Sequence, residues 1–156
     1  MLAIDLNGKR ALVTGVSSGI GLGIAGVMAE AGCDVAGCAL DAADSAGAQQ
    51  FMQAVTQHGK RADYRQLDLQ DDAQLQAWVA DAAGWLGGVD IVISNAGRSN
   101  FEGAADCTPA AWDAAMNLNL AAHWRLAQAA RPHLLQANEP IIIVITSNHA
   151  YNSIPG

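Results

Sequence analysis

The chain has 156 residues, of which 51% are hydrophobic and only 15% are charged. This size and composition predict one folded domain over residues 1–156 and argue against disorder. Lys and Arg number 8 against 15 Asp and Glu, so the net charge of -7 would repel nucleic acid or an anionic membrane surface. No apolar run approaches the about 18 residues that a membrane span needs, and we expect neither a membrane nor a nucleic-acid partner.

The cysteines at positions 33, 38 and 107 form an odd set without C-x-x-C spacing. This pattern argues against a zinc site or a disulfide framework, and it favours reduced thiols that fill small apolar spaces. Residues 1–10 lack a basic segment followed by an apolar one, so no export signal is indicated. We therefore expect a cytoplasmic protein without a metal.

Short apolar runs alternate with longer helical patterns along the chain, which is typical of β-α units on a parallel sheet. The pattern predicts strands at residues 10–14, 34–40, 62–67, 89–94 and 141–145. Helices are expected at about 20–31, 44–58, 71–84 and 108–136. The sequence therefore predicts an α/β fold, a doubly wound parallel sheet in which five strands are seen.

A glycine-rich segment lies between the first predicted strand and the first predicted helix. Its residues are Thr14, Gly15, Val16, Ser17, Ser18, Gly19, Ile20 and Gly21. Gly15 permits a tight turn, Gly19 lets the backbone approach a pyrophosphate, and Gly21 lets the helix pack near the strand. Three glycines can also meet in a loop by chance, but the strand-turn-helix context favours the phosphate-binding turn of a Rossmann-type fold.

The spacing Thr-Gly-x-x-x-Gly-Ile-Gly resembles the signature of the short-chain dehydrogenase/reductases. Further matches to that family follow in order along essentially the whole chain: Asp68-Leu69, Ser94-Asn95-Ala96-Gly97, Asn119-Leu120 and the segment 141–156. Ser94 stands where the family more usually has asparagine. The resemblance implies an NAD(P)-dependent oxidoreductase that transfers a hydride between a nicotinamide cofactor and an alcohol or carbonyl substrate.

The resemblance also implies roles for the residues after the third and fourth strands. Asp68 would accept a hydrogen bond from the adenine amino group, and Leu69 would offer its backbone to the ring. An aspartate that simply enters a turn is the alternative for Asp68. Asn95 would brace the sheet beside the cofactor, with Ala96 and Gly97 leaving space for the adenosine ribose.

Two catalytic residues are implied by the same resemblance. Asn119 matches the asparagine whose main chain helps to hold a water for proton relay. Ser147 matches the serine whose hydroxyl donates to the substrate carbonyl, with Thr146 as the neighbouring alternative.

The family's proton donor is a tyrosine with a lysine four positions later. This chain has only Tyr64 and Tyr151, neither followed by such a lysine, and no lysine follows Lys60. We therefore expect the cofactor-binding portion of an oxidoreductase, incomplete at its C-terminus and inactive alone. The alternative is a non-catalytic dinucleotide-binding module or partner subunit. A structural α/β domain with a vestigial loop is the third possibility, and the retained Ser147 and Asn119 favour the first.

The nucleotide is predicted to be NAD rather than NADP. The usual selector position after the second strand falls on the neutral Ala39, but Asp41 follows two residues later. No basic residue between Arg10 and Lys60 is placed to accept a 2'-phosphate. Asp41 could instead cap the following helix.

Association of chains is also expected. The resemblance implies a homo-oligomer in which the long helix packs between subunits. Five strands without further elements would in addition leave an open sheet edge and an exposed apolar face.

Overall fold

The computed structural model of the protein describes residues 4–99 and 105–147. Its strands are β1 (Arg10–Thr14), β2 (Asp34–Ala39), β3 (Ala62–Gln66), β4 (Ile91–Ser94) and β5 (Ile141–Val144). Its helices are α1 (Gly19–Glu30), α2 (Ala46–Thr56), α3 (Asp72–Leu86), α4 (Pro109–Met116) and α5 (Ala122–Leu134). The strands are parallel in the order β3-β2-β1-β4-β5, which confirms the predicted doubly wound sheet.

The prediction of one long helix at 108–136 is wrong in one respect, because the structure divides this segment into α4 and α5. Between them lies a π-helical turn, Asn117–Ala121, in which the backbone N–H of Ala122 bonds to the carbonyl of Asn117. Such turns widen a helix by one residue and occur often at functional sites. The segment also ends at Leu134, two residues earlier than predicted.

Other boundaries differ by one to two residues for visible reasons. The second helix begins at Ala46 because the hydroxyl of Ser45 accepts a hydrogen bond from the N–H of Ala48 and so caps it. Asp41 therefore does not cap this helix, which was the alternative role considered for it. The fourth strand begins at Ile91 rather than Val89, because Asp90 is engaged at its amino end by Arg10.

The core lies on both faces of the sheet, since successive side chains of a strand point to opposite sides. On one face, Leu12 and Val92 pack against Trp78 of α3 and Leu126 of α5. On the other face, buried apolar side chains of the strands pack against α1 and α2, and they include Val13, Val35, Ile93, Met28 and Phe51. Each central strand is thus covered on both sides, as its continuous apolar sequence predicted.

The last strand differs from the others in its exposure. The side chains of Ile141, Ile142, Ile143 and Val144 are between 41% and 49% exposed. Within the described residues, β5 pairs with β4 and forms the sheet edge. Among the described residues, β5 is thus an edge strand with exposed apolar side chains. None of the described helices combines the length and the apolar character that crossing a membrane requires.

The amino ends of β1 and β4 are joined by an ion pair. Arg10 Nε lies 2.7 Å from Asp90 Oδ2, and the backbone N–H of Arg10 donates to the same oxygen at 2.9 Å. The Asp90 side chain is only 7% exposed. Burial raises the pKa of Asp90, but the hydrogen bonds and charge of Arg10 outweigh burial and hold that pKa below its ordinary value. The pair therefore stabilises the fold where Asp90 is ionised.

We predict that Asp90→Ala lowers the free energy of unfolding by about 2 to 3 kcal/mol, because it leaves a partly buried guanidinium without its partner. Urea unfolding measures this loss at neutral pH. The difference should shrink as pH falls through the depressed pKa of Asp90, since protonation removes the same interaction from the wild type.

The matched control is Asp81→Ala, which breaks the exposed pair with Arg65. We expect a loss of less than about 1 kcal/mol there. Equal losses in the two variants would contradict a special role for the Arg10–Asp90 pair.

Candidate nucleotide-binding site

The candidate site lies where the chain changes direction across the sheet. From β1 the chain moves outward to β2 and β3, and it then returns to β4 and β5 on the other side of β1. The loops that follow β1 and β4 therefore diverge and leave a crevice at the carboxyl ends of these strands. Ligands of open α/β sheets bind at such switch points.

The glycine-rich turn follows β1 and is too crowded for side chains at two positions. A Cβ on Gly21 would lie 2.1 Å from the carbonyl oxygen of Gly15. A Cβ on Gly15, whose φ is 74°, would lie 2.9 Å from Asn95 Nδ2. Gly19 has a φ of 55° and open space beside it. Gly15 and Gly21 are therefore required by close backbone and side-chain neighbours, whereas Gly19 is required by its positive φ. The approach of Gly19 to a pyrophosphate stays a prediction.

The start of α1 offers unused backbone donors beside this turn. Ser18 is the N-cap residue, but its side chain makes no capping hydrogen bond. The described helices α2, α3 and α4 are capped by Ser45, Asp71 and Thr108 respectively. A helix end without a side-chain acceptor leaves N–H groups and a positive partial charge for an anion.

The first turn of α2 packs against the glycine-rich segment, and the sequence did not predict this contact. A Cβ on Gly47 would lie 2.4 Å from the carbonyl oxygen of Ser17, so glycine lets the first turn of α2 rest on the glycine-rich segment. The signal was a glycine inside a helix where neither a cap nor a bend needs one.

Thr14 connects the carboxyl ends of β1 and β4. Its hydroxyl oxygen accepts hydrogen bonds from the backbone N–H groups of Asn95 and Ala96, both at 3.0 Å. The side-chain amide of Asn95 donates to the carbonyl of Thr14, also at 3.0 Å. Asn95 therefore lies across the two loops, in the bracing position that the resemblance implied.

Asn119 reaches the same loop from the π-helical turn. Its Oδ1 accepts from the N–H of Arg98 at 2.8 Å, and its Nδ2 donates to the carbonyl of Arg98 at 2.9 Å. A Cβ on Gly97 would lie 3.0 Å from Asn119 Oδ1. The side chain of Asn119 thus holds the far end of the loop that begins with Asn95 and Ala96, at Gly97 and Arg98.

A second link between β4 and the long helical segment was also missed. The hydroxyl of Ser94 lies 2.6 Å from Nδ1 of His123. Burial lowers the pKa of His123, while a hydrogen bond to the backbone carbonyl of Asn119 acts in the opposite direction. The sequence offered no signal for this contact beyond the residue type of His123, because the two residues are 29 positions apart.

The residues assigned to the adenosine half lie at the same edge of the sheet. Asp68 accepts a hydrogen bond from the N–H of Gln70 at 2.9 Å, so its carboxylate also stabilises the turn before α3. The Leu69 side chain is buried in the core. Asp41 follows β2 with an exposed side chain, and its carbonyl accepts the hydroxyl of Tyr64 at 2.7 Å.

The proposed catalytic serine follows the edge strand. The N–H of Ile145 donates to the carbonyl of Ser94 at 2.9 Å, which places Thr146 and Ser147 just beyond the carboxyl end of β5. Both are exposed. Tyr151 lies outside the described residues. Among those described, no three His, Cys, Asp or Glu side chains group in a way that would hold a metal ion.

Comparison with known proteins gives relatives of one kind. D-beta-hydroxybutyrate dehydrogenase of Cupriavidus necator is 35% identical over 144 residues, which is 92% of this chain and 55% of that protein. A short-chain dehydrogenase of Burkholderia cenocepacia in complex with NADP has a TM-score of 0.89 and 35% identity over 96% of this chain and 60% of its own. One from Mycobacterium paratuberculosis bound to NAD has a TM-score of 0.85 and 26% identity, over 92% and 57% of the two chains.

The chain therefore spans little more than half the length of these relatives. The family model described as short chain dehydrogenase matches residues 9–156, which include the glycine-rich turn, Asn95 and Asn119. From the sheet order, the crowded turn and this match, the chain belongs to the short-chain dehydrogenase family.

Proposed function

We propose that this chain forms the nucleotide-binding part of an oxidoreductase that transfers a hydride between a nicotinamide cofactor and an alcohol or carbonyl substrate. The observation that carries the proposal is the junction of Gly15, Gly21, Thr14 and Asn95 at the switch point of the sheet. The relatives support it, since one is a dehydrogenase by name and two are complexes with NADP or NAD.

The chain's own groups divide the work of binding. The N–H groups at the start of α1 would hold the pyrophosphate, with Gly19 allowing close approach. Asp68 and Leu69 would contact the adenine, and Ala96 and Gly97 would leave room for its ribose. The nicotinamide ring, once bound, supplies the hydride chemistry.

Ser147 and Asn119 are the residues proposed to act on the substrate side. The hydroxyl of Ser147 would donate to the substrate oxygen and stabilise its developing negative charge. Asn119 would hold a water through its main chain, while its side chain fixes the backbone of Arg98. Protonation of an alkoxide needs a further group of suitable pKa.

A second candidate is a dinucleotide-binding module without catalysis. Both candidates bind a nucleotide, and NADH titration of the chain tests this shared step.

We predict that Gly21→Ala weakens NADH binding at least about tenfold, because the added Cβ would push α1 away from the carbonyl of Gly15. Fluorescence titration of NADH measures the dissociation constant. Gly84→Ala in α3 is the matched control, since a Cβ there meets nothing within 4 Å. Equal affinity in both variants, or no binding by the wild type, would overturn the proposed site.

The proposed cofactor is NAD, with NADP as the less favoured one. The exposed carboxylate of Asp41 lies just after β2, where it would bond ribose hydroxyls and repel a 2'-phosphate. We expect tighter binding of NADH than of NADPH, and a smaller difference in Asp41→Asn. Asp44→Asn, in the same loop, serves as the control and should keep the preference. Tighter NADPH binding by the wild type would remove Asp41 from this role.

An exposed apolar stripe supports the proposal of a homo-oligomer. Trp112, Met116, Leu120 and Trp124 follow at four-residue intervals along α4, the π-helical turn and α5, and each is between 40% and 64% exposed. Exposed apolar patches mark interaction surfaces, and tryptophan is enriched in them. The proposed occupant is a second copy of the chain, because one patch pairs with itself about a twofold axis.

The double variant Trp112→Ser/Trp124→Ser should shift the protein to monomer, as measured by size-exclusion chromatography with light scattering. Val27→Ser removes a similarly exposed apolar side chain from α1 and should leave the assembly unchanged. A monomeric wild type, or a double variant with unchanged mass, would contradict this surface as the interface.

A further inference from the structure

We propose that Ser94 and His123 form a positioning pair, which fixes the loop 95–98 against the π-helical turn and thereby sets the affinity of the nucleotide site. This inference rests on the proposed function. It concerns two residues that neither the glycine-rich turn nor the catalytic pattern includes.

The pair joins a buried serine at a strand end to a half-buried histidine on a helix. Ser94 is the last residue of β4 and is 3% exposed, and its hydroxyl lies 2.6 Å from Nδ1 of His123. A buried hydroxyl or imidazole nitrogen that loses its partner is costly, because water does not replace the lost hydrogen bond. The contact therefore ties the carboxyl end of β4 to the first turn of α5.

The same two elements carry the loop that lines the crevice. On the side of β1, Thr14 holds the N–H groups of Asn95 and Ala96. On the helical side, Asn119 holds both backbone groups of Arg98. The loop 95–98 is therefore held at both of its ends. The hold of Asn119 on Arg98 depends on the position of the π-helical turn relative to β4, because the turn carries Asn119 and the loop starts from β4.

His123 is placed to control that position. Its ring meets Ser94 on the strand, and the residue lies in the first turn of α5, directly after the π-helical turn that carries Asn119. A π-helical turn moves backbone hydrogen bonds from the fourth to the fifth residue, so its carbonyls accept from altered partners. The imidazole thus links β4, from which the loop 95–98 starts, with the helical segment that carries Asn119.

The residue types suit this contact. The side chain of Ser94 is short and lies at the end of β4, and the imidazole of His123 reaches it from the facing helix. Burial favours its neutral form, which can donate to the hydroxyl or accept from it.

The test separates hydrogen bonding from packing. Ser94→Ala and His123→Phe each remove the bond, whereas His123→Asn keeps a polar group near the position of Nδ1. We expect NADH binding to weaken about fivefold in each of the first two variants and in their combination, because both remove one shared interaction. His123→Asn should recover most of the affinity.

A second readout does not depend on the nucleotide. The N–H of Arg98 donates to Asn119, so its hydrogen exchange, followed by NMR, reports the hold of the π-helical turn on the loop. Exchange at Arg98 should become faster in Ser94→Ala and His123→Phe. Val79→Ala is the control for packing, because it removes a buried side chain from the core between the sheet and the helices α3 and α5 without removing a hydrogen bond. It should change neither the exchange at Arg98 nor the NADH affinity by more than about twofold.

Unchanged exchange at Arg98 in Ser94→Ala would overturn the positioning pair, as would additive effects of the two substitutions on NADH affinity. Failure of the wild type to bind NADH would count against the proposed function alone. In that case exchange at Arg98 still decides whether Ser94 and His123 fix the loop.

Discussion

The hydroxyl of Thr14 sets the geometry at the switch point, because it accepts two backbone N–H groups from the neighbouring strand's loop. β1 and β4 already pair side by side, but strand pairing alone does not determine how the two loops leave the sheet. With Thr14 engaged, Asn95 is carried against Gly15, and the space beside that glycine is filled. The glycines are therefore required by a side chain from the opposite loop as well as by the turn itself.

The two ends of the sheet are held together by different chemistry. At the amino ends, Arg10 and Asp90 form a partly buried ion pair. At the carboxyl ends, the described contacts between β1, β4 and the π-helical turn are hydrogen bonds of hydroxyl, amide, imidazole and backbone groups. Among the described residues, these contacts between β1, β4 and the π-helical turn include no carboxylate, which suits the pyrophosphate site proposed at the start of α1.

Sequence patterns predicted the elements well because the strands are short and bounded by glycine or proline, and all of them except β3 are mostly apolar. The turn from Thr14 to Gly21 could also be located, since its glycines meet steric limits that act within a few residues. The π-helical turn was not predicted, because the local sequence from Asn117 to Ala121 satisfies an ordinary helix equally well. Asn119 of this turn contacts Arg98, which is distant in sequence.

The same limit applies to individual site residues. Asn119 was found through resemblance, but the contact of its side chain with Arg98 spans 21 residues of chain. Gly47 was overlooked because its neighbour, Ser17, lies in another element. His123 carried no local signal beyond its residue type. The roles of these residues depend on contacts between different helices, strands and loops. The pattern of residues within one element does not reveal such contacts.

The bond between Arg10 and Asp90 also constrains the order of events during synthesis. It joins residues separated by 80 positions, and β1 pairs with β2 on one side and with β4 on the other. A nascent chain that has reached β3 therefore holds a sheet whose central strand still has one unpaired edge. Closing that edge waits for β4 to emerge, and the long separation makes the step entropically costly. The central strand of the finished sheet is thus the one that waits through the longest stretch of chain for its second partner.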